Sequence, residues 1–438
     1  MKKSFITSIL LFITSICLAQ ELDTQKLDSL FDLLESHNKF MGSLAVSQNG
    51  KSLYQKTIGY VNIEDSIKSN HSTKYRVGSI SKMFTASLIL KAVEENKLAL
   101  DDTLDQFYPE IVNANKITIK NLLSHSSGIH DFTRNEDYLD WHQTQQSKEN
   151  MLERIAGFQS DFEPNSKSEY SNSNFVLLTF ILQDLYKTPF SKLLETKIIL
   201  PLSLKNTAYG QKINPKTNEA LSYSFLGKWN KETETDMSIP QGAGAIISTP
   251  EDLNIFITAL FNGEIISKNS LELMKTIENG YGLGLFKFPY NDKWSYGHTG
   301  GIDGFQSVTS FFPDDQLAIS QTGNGINYNK NDILLAVLGS FYEGKFDLPE
   351  FTSISLTAEE LEKFTGVYSS EQIPPKITIT EEGMTLLAQA SGQSAFPLEP
   401  TSKNTFVFKQ AGVKIEFNSA ENEMLLIQGG KEFLFKKE

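Results

Sequence analysis

The sequence predicts a mixed α/β protein: a three-layer sandwich on an antiparallel sheet with an inserted helical region, followed by a small all-β, barrel-like domain. Three observations carry this expectation. Strand-like stretches stand at both ends of the first 345 residues, helix-period apolar runs fill the middle, and beyond Gly344 the pattern changes to short alternating strands. The divisions that follow are a leader at 1–19, a main domain at 20–345, a linker at 346–357 and a C-terminal domain at 358–438.

Taken in order, Lys2-Lys3, an apolar run from Phe5 through Leu18 and the small-x-small site Cys17-Leu18-Ala19 read as a secretory signal. The run is too short, and too interrupted by Ser and Thr, for a membrane span. Cys17 is the only cysteine, which raises lipid anchoring as an alternative, but the bulky Ile16 before it favours cleavage. The expectation is a periplasmic protein without cysteine and hence without disulfides.

Leu27, Leu30, Phe31 and Leu34 mark a short amphipathic helix. Ser43–Ser47 and Ser52–Lys56 flank Gln48-Asn49-Gly50-Lys51, a hairpin signal. An extended segment, Lys74–Val77, then runs into a helix whose buried face is Met83, Phe84, Ala86, Leu88, Ile89, Leu90 and Val93. The polar stretch from Thr133 to Glu153 reads as a loop or helical insertion near a cleft, where selectivity can reside. Phe175–Tyr186 is a further apolar helix, and from Lys293 the chain returns to strands, so that both ends of the domain can share one sheet.

Leu348-Pro349-Glu350 reads as linker and Ala358–Phe364 as one short helix. Ile377–Thr380, Thr405–Phe408, Val413–Phe417, Met424–Ile427 and Glu432–Phe435 are spaced as a meander. Their aromatics are read as core rather than as a ligand platform.

Three constellations carry chemistry. Ser79 and Lys82 are three apart at the start of the first core helix, so the amine reaches the hydroxyl and can activate it. Ser36 and Lys39 match the same spacing, but without a leading glycine or a following core helix, and read as solvated surface. Tyr170-Ser171-Asn172 precedes the second core helix; Tyr170 can relay protons and Asn172 can orient the lysine, although a simple helix start fits the same residues. His298-Thr299-Gly300-Gly301 lies between strand-like stretches, where glycines admit a substrate backbone, and an ordinary Gly-rich turn fits as well.

In this order, the three resemble the active-site motifs of the serine β-lactamase and penicillin-recognising D-alanyl-D-alanine peptidase superfamily. The resemblance is greatest to its class C branch of D-aminopeptidases, D,D-carboxypeptidases and esterases. Connecting stretches are similar too: Ile117–Ile129, Gly242–Leu253 and Tyr281–Leu285, so that the likeness runs from about Leu44 to about Leu338. The resemblance implies a Ser79 acyl-enzyme, with Lys82 as base and Tyr170 passing a proton to the leaving group. It also implies Asn172, His298 and Thr299 as substrate-binding groups, and the backbone N–H groups of Ser79 and Gly301 as the oxyanion hole.

There are two departures. His298 stands where lysine is usual, making the positive charge conditional on pH, so a carboxylate substrate is expected to be held less firmly as pH rises through the histidine range. Asn165 follows Pro164 where glycine is common, and asparagine tolerates the left-handed turn. The Lys82 charge is expected to be disfavoured by burial and by the other cations of the site.

The formal net charge of −13 becomes −15 once Lys2 and Lys3 leave with the signal, which argues against nucleic acid or anionic lipid as partners. No His/Cys cluster of metal-ligand spacing and no phosphate loop is present, so no metal and no cofactor is expected. The functional expectation is a secreted serine hydrolase of small peptides or esters, foremost a D-alanyl-peptide carboxypeptidase or esterase. The alternatives are a β-lactamase hydrolysing β-lactams and a non-catalytic sensor of peptidoglycan fragments.

Overall fold

A computed structural model describes residues 22–438 apart from 352, 353, 355 and 394. The expected signal and Cys17 lie outside the described residues.

The main sheet is antiparallel, with strands in the order Phe286–Tyr290, Lys293–Ile302, Phe305–Phe312, Leu317–Ile326, Phe40–Gln48 and Lys51–Ile58. The N-terminal hairpin therefore docks beside the last strand of the domain, with Val46 opposite Ile319. This join of chain ends is what the strand pattern predicts. A second hairpin, Tyr223–Leu226 with Lys228–Lys231, hangs from Leu317–Ile326 through a single parallel pairing of Gly325 with Tyr223.

Helices cover both faces of the sheet, which gives the three layers. On one side Thr24–Ser36 and Lys330–Leu338 pack Phe31 and Val337 onto Val46 and Ile319. On the other, Ser81–Glu94, Asn172–Tyr186 and Pro250–Phe261 form a helical core that meets the sheet at Phe311 and Ala318. Phe84 and Phe256 stack there with centroids 3.6 Å apart. Ser36 is exposed at the end of its helix, as a solvated position should be, but the reading of Lys39 as surface is corrected: it is buried, because Glu399 of the C-terminal strands packs over it and pairs with its amine.

The polar stretch after Thr133 contains the helices Tyr138–Trp141 and Lys148–Ala156, preceded by a 3₁₀ turn at Phe132–Arg134. Asn165 takes a left-handed φ of 66° and its side-chain oxygen accepts from Asn121 at 2.6 Å.

From Gly366 to Lys437 eight strands close into a barrel, sealed where Tyr368 pairs with Lys437. Three of these strands, Gly366–Ser369, Thr385–Ala390 and Phe396–Pro400, escape the sequence reading. Alanine and glutamine dilute the β signal of the second, and two prolines argue against the third. The aromatics are core: Phe364, Phe406 and Phe417 pack together inside. Glu399 of the barrel forms an ion pair with the buried Lys39 of the main domain.

Candidate active site

Ser79 sits in a single 3₁₀ turn, Gly78–Ile80, and the α-helix begins after it at Ser81. The turn is set by Gly78, whose φ is +51° and on which a Cβ would come within 2.8 Å of the Gly301 nitrogen. A Cβ on Gly300 would come within 2.0 Å of the Val77 carbonyl oxygen. The two glycines thus let the serine turn lie directly against the strand Lys293–Ile302, a contact that any side chain would prevent. This places the Gly301 backbone beside the turn that carries Ser79.

Lys82 is fully buried, one helical turn on. Its Nζ lies 2.9 Å from Ser79 Oγ, 2.8 Å from Asn172 Oδ1 and 2.8 Å from the Ala243 carbonyl oxygen. Burial lowers its pKa to about 7, against the opposing pull of Asp131. The expectation that other cations share in this lowering is corrected: both nearby histidines are held neutral by burial, and the charge that acts on the amine, Asp131, acts the other way. A neutral amine has two N–H bonds and one lone pair. With two carbonyl oxygens taking the N–H bonds, the lone pair faces the Ser79 hydroxyl, which is the arrangement of a general base.

Tyr170 stacks on His125 with centroids 4.4 Å apart, and its ring lies 4.7 Å from Lys82 Nζ. Burial raises its phenol well above the ordinary range, so the hydroxyl near Ser79 keeps its proton at neutral pH. Asn172 is the first residue of its helix. Its Oδ1 accepts from Lys82, while its Nδ2 donates to Asp131 Oδ2 at 3.0 Å and to Thr133 Oγ1 at 3.3 Å.

His298 departs from expectation. It is 2% exposed, packed 4.6 Å from the Phe286 ring, and burial with the Lys82 charge lowers its pKa to about 3. Its Nδ1 donates to the Thr299 carbonyl, which leaves Nε2 as a bare acceptor. A neutral acceptor does not hold a carboxylate, so the charge anticipated from pH does not arise near neutrality. Thr299 is half-buried on the same strand, opposite Val308.

The cleft beside Ser79 has a volume of about 410 Å³. Ser79, Asn172 and Gly301 line it, together with Thr133, Tyr138, Leu139 and His142 from the polar insertion, and Glu232, Thr235 and Asp303. Tyr170, His298 and Thr299 are not among its lining residues.

Several contributors were not singled out by the motifs. His125 and Ala243 lie in stretches noted only as connecting sequence, yet one supports Tyr170 and the other takes a Lys82 N–H. Asp131 gave no signal, because a lone acidic residue in a polar loop is usually solvated. Arg76, also unremarked, is 2% exposed and binds Glu234 at 2.6 Å and Asp303 at 3.0 Å, fastening the cleft wall to the turn after Gly301.

A buried lysine aimed at a serine in an open cleft, on this sandwich, defines a serine hydrolase. The profile of the family described as Beta-lactamase matches residues 30–336, and the chain belongs to that family. Penicillin-binding protein 4* of Bacillus subtilis (strain 168) is 25% identical over 93% of this chain and 97% of its own length. Protein flp of Staphylococcus aureus (strain MRSA252) is 28% identical over 68% of this chain and 62% of its own length. Among solved structures, a D-stereospecific amidohydrolase from Streptomyces sp. superposes with a TM-score of 0.63 at 25% identity, covering 74% of this chain and 100% of that one. The octameric penicillin-binding protein homologue from Pyrococcus abyssi, at 23% identity and a TM-score of 0.66, extends the fold likeness to 95% of this chain and 100% of its own.

Proposed function

We propose that the protein hydrolyses small amides and esters through a Ser79 acyl-enzyme, with D-aminoacyl amides, peptides and esters as donors ahead of carboxylate-terminated D-alanyl peptides and β-lactams. The observation that carries the mechanism is Lys82 Nζ, 2.9 Å from Ser79 Oγ with its two N–H bonds directed at carbonyls. Lys82 takes the Ser79 proton as Oγ attacks the acyl carbon. The backbone N–H groups of Ser79 and Gly301 receive the oxyanion, and Tyr170 passes a proton to the leaving nitrogen or oxygen while taking one from the protonated Lys82, which returns the lysine to its neutral form. Water, losing a proton to Lys82, then attacks the ester, and that proton passes to Ser79 Oγ as the acyl product leaves.

The ranking of donors rests on charge. β-Lactams and D-alanyl-D-alanine peptides carry a carboxylate beside the scissile bond. His298 is neutral, and no lysine or arginine lines the cleft among the described residues. Glu232 lines it without an ion-pair partner among the described residues, which suits a donor with a free ammonium group. The similarity to a D-stereospecific amidohydrolase points the same way. Export to the periplasm belongs to this proposal and rests on the leader sequence alone.

The test is turnover and intact mass with D-alanine p-nitroanilide, a p-nitrophenyl ester, an N-acylated D-Ala-D-Ala peptide and a fluorescent penicillin. Each is run beside Ser79→Ala. A Ser79-dependent adduct or product, fastest with the amine-bearing donor, is expected, with a loss of about 10⁴-fold or more in Ser79→Ala. Turnover that survives Ser79→Ala would remove the acyl-enzyme mechanism, and preference for the penicillin would restore the β-lactamase reading.

A further inference from the structure

Asp131 lies behind the lysine and outside the cleft lining. Its carboxylate is 4% exposed and every contact it makes is as an acceptor. Oδ1 takes the Thr133 N–H at 3.1 Å and the Thr133 hydroxyl at 2.9 Å. Oδ2 takes Asn172 Nδ2 at 3.0 Å. An amide next to a carboxylate must turn its NH₂ toward it, because the inverted amide would set a carbonyl oxygen against a negative charge. The Asn172 carbonyl therefore faces Lys82, at 2.8 Å. With the Ala243 carbonyl also at 2.8 Å, both N–H bonds of a neutral amine are taken. Only the lone pair remains for Ser79.

We propose that Asp131 is a positioning residue: it fixes the amide orientation of Asn172 and thereby aims the Lys82 lone pair at the Ser79 hydroxyl proton. Were the amide free to invert, its NH₂ would meet the lysine as a donor, and the lone pair would turn away from the serine to accept it. The proton moved in acylation is the Ser79 hydroxyl proton, which passes to Lys82 as Oγ bonds the acyl carbon. Asp131 gains and loses none.

Asp131 also has a bland role as cap of the 3₁₀ turn Phe132–Arg134. The two roles separate experimentally because asparagine caps as well as aspartate but has no charge and can offer either end of its amide. The titratable groups around the Lys82 amine are Asp131, Tyr170, His125 and His298, of which Tyr170 stays protonated and both histidines stay neutral. The Asp131 charge is thus the one that holds the amine's protonation up against burial.

The inference rests on the Ser79 acyl-enzyme reading, so the pH dependence of kcat/KM is measured for wild type, Asp131→Asn, Asp131→Glu and Ser79→Ala together, with the unfolding midpoint of each. Asp131→Asn is expected to keep the midpoint, to lower kcat/KM about 10- to 100-fold and to move the acidic limb to lower pH. Asp131→Glu, which keeps charge and acceptors, is expected to lose rate with the limb near its wild-type position. A limb unmoved in Asp131→Asn, or moved equally in both, would overturn the proposal. Should Asp131→Asn not fold, wild-type rate in Asp131→Glu would overturn it and a reduced rate with an unmoved limb would support it. Activity surviving in Ser79→Ala would instead remove the acyl-enzyme reading itself.

Discussion

The main domain and the C-terminal barrel solve different problems with the same chain. Every buried polar or charged side chain among the described residues lies at or before Ser340, and the barrel has none. Buried polar atoms without a hydrogen-bond partner likewise all fall between Ser69 and Asn324. Of the non-glycine residues with left-handed backbone among the described residues, only Asn422 belongs to the barrel, where it turns a hairpin. The barrel is a closed sheet with an apolar interior, so its edges are satisfied and its core carries no electrostatic cost. The main domain keeps a lysine, an aspartate, an arginine and two histidines out of water around one serine. Polar and charged groups thus sit where folding alone would place leucine.

This contrast can be tested at its strongest point by Lys82→Met. Moving an amine from 10.5 to about 7 by burial corresponds to about 5 kcal/mol, felt fully below pH 7 where the buried amine is charged. The unfolded chain binds more protons between those two values, so wild-type stability should rise with pH there. Relative to Lys82→Met it should gain up to about 5 kcal/mol between pH 7 and 10.5. Denaturant titrations of both proteins across that range measure it, and parallel pH curves would show that the lysine is not strained by burial. The same variant should lose turnover.

The barrel should respond in the opposite way. Phe406 is fully buried there, and Phe406→Ala should cost about 3–5 kcal/mol at every pH while leaving kcat/KM of the folded protein unchanged. A fall in kcat/KM in parallel with stability would mean that the barrel supports the cleft, and the division between the two regions would have to be redrawn.

The smallest effect sharpens the comparison inside the site. kcat/KM should rise about tenfold per pH unit in acid and level off above about 7, as Lys82 loses its proton. No fall should follow through the histidine range, because His298 is already neutral from about 3 upward. A descending limb between pH 6 and 8 would return a charged histidine to the mechanism.

Much of this was legible in the chain itself. The Ser79 and Lys82 pair, the Gln48–Lys51 hairpin, the two apolar helices and the return to strands at Lys293 are local patterns, and local patterns survive folding when their periods agree with the final layers. The weak barrel strands Thr385–Ala390 and Phe396–Pro400 were not legible, since their neighbours hold them in place rather than their own propensity.

What the sequence determined alone is the order of elements and the identity of the serine, lysine, tyrosine and asparagine that the main domain brings together. What only the tertiary structure decided is their protonation and their direction. Burial depends on every element packed over a group, so His298 could be named from sequence but not known to be neutral. The orientation of the Asn172 amide depends on Asp131, 41 positions away, and no spacing in the chain announces that contact.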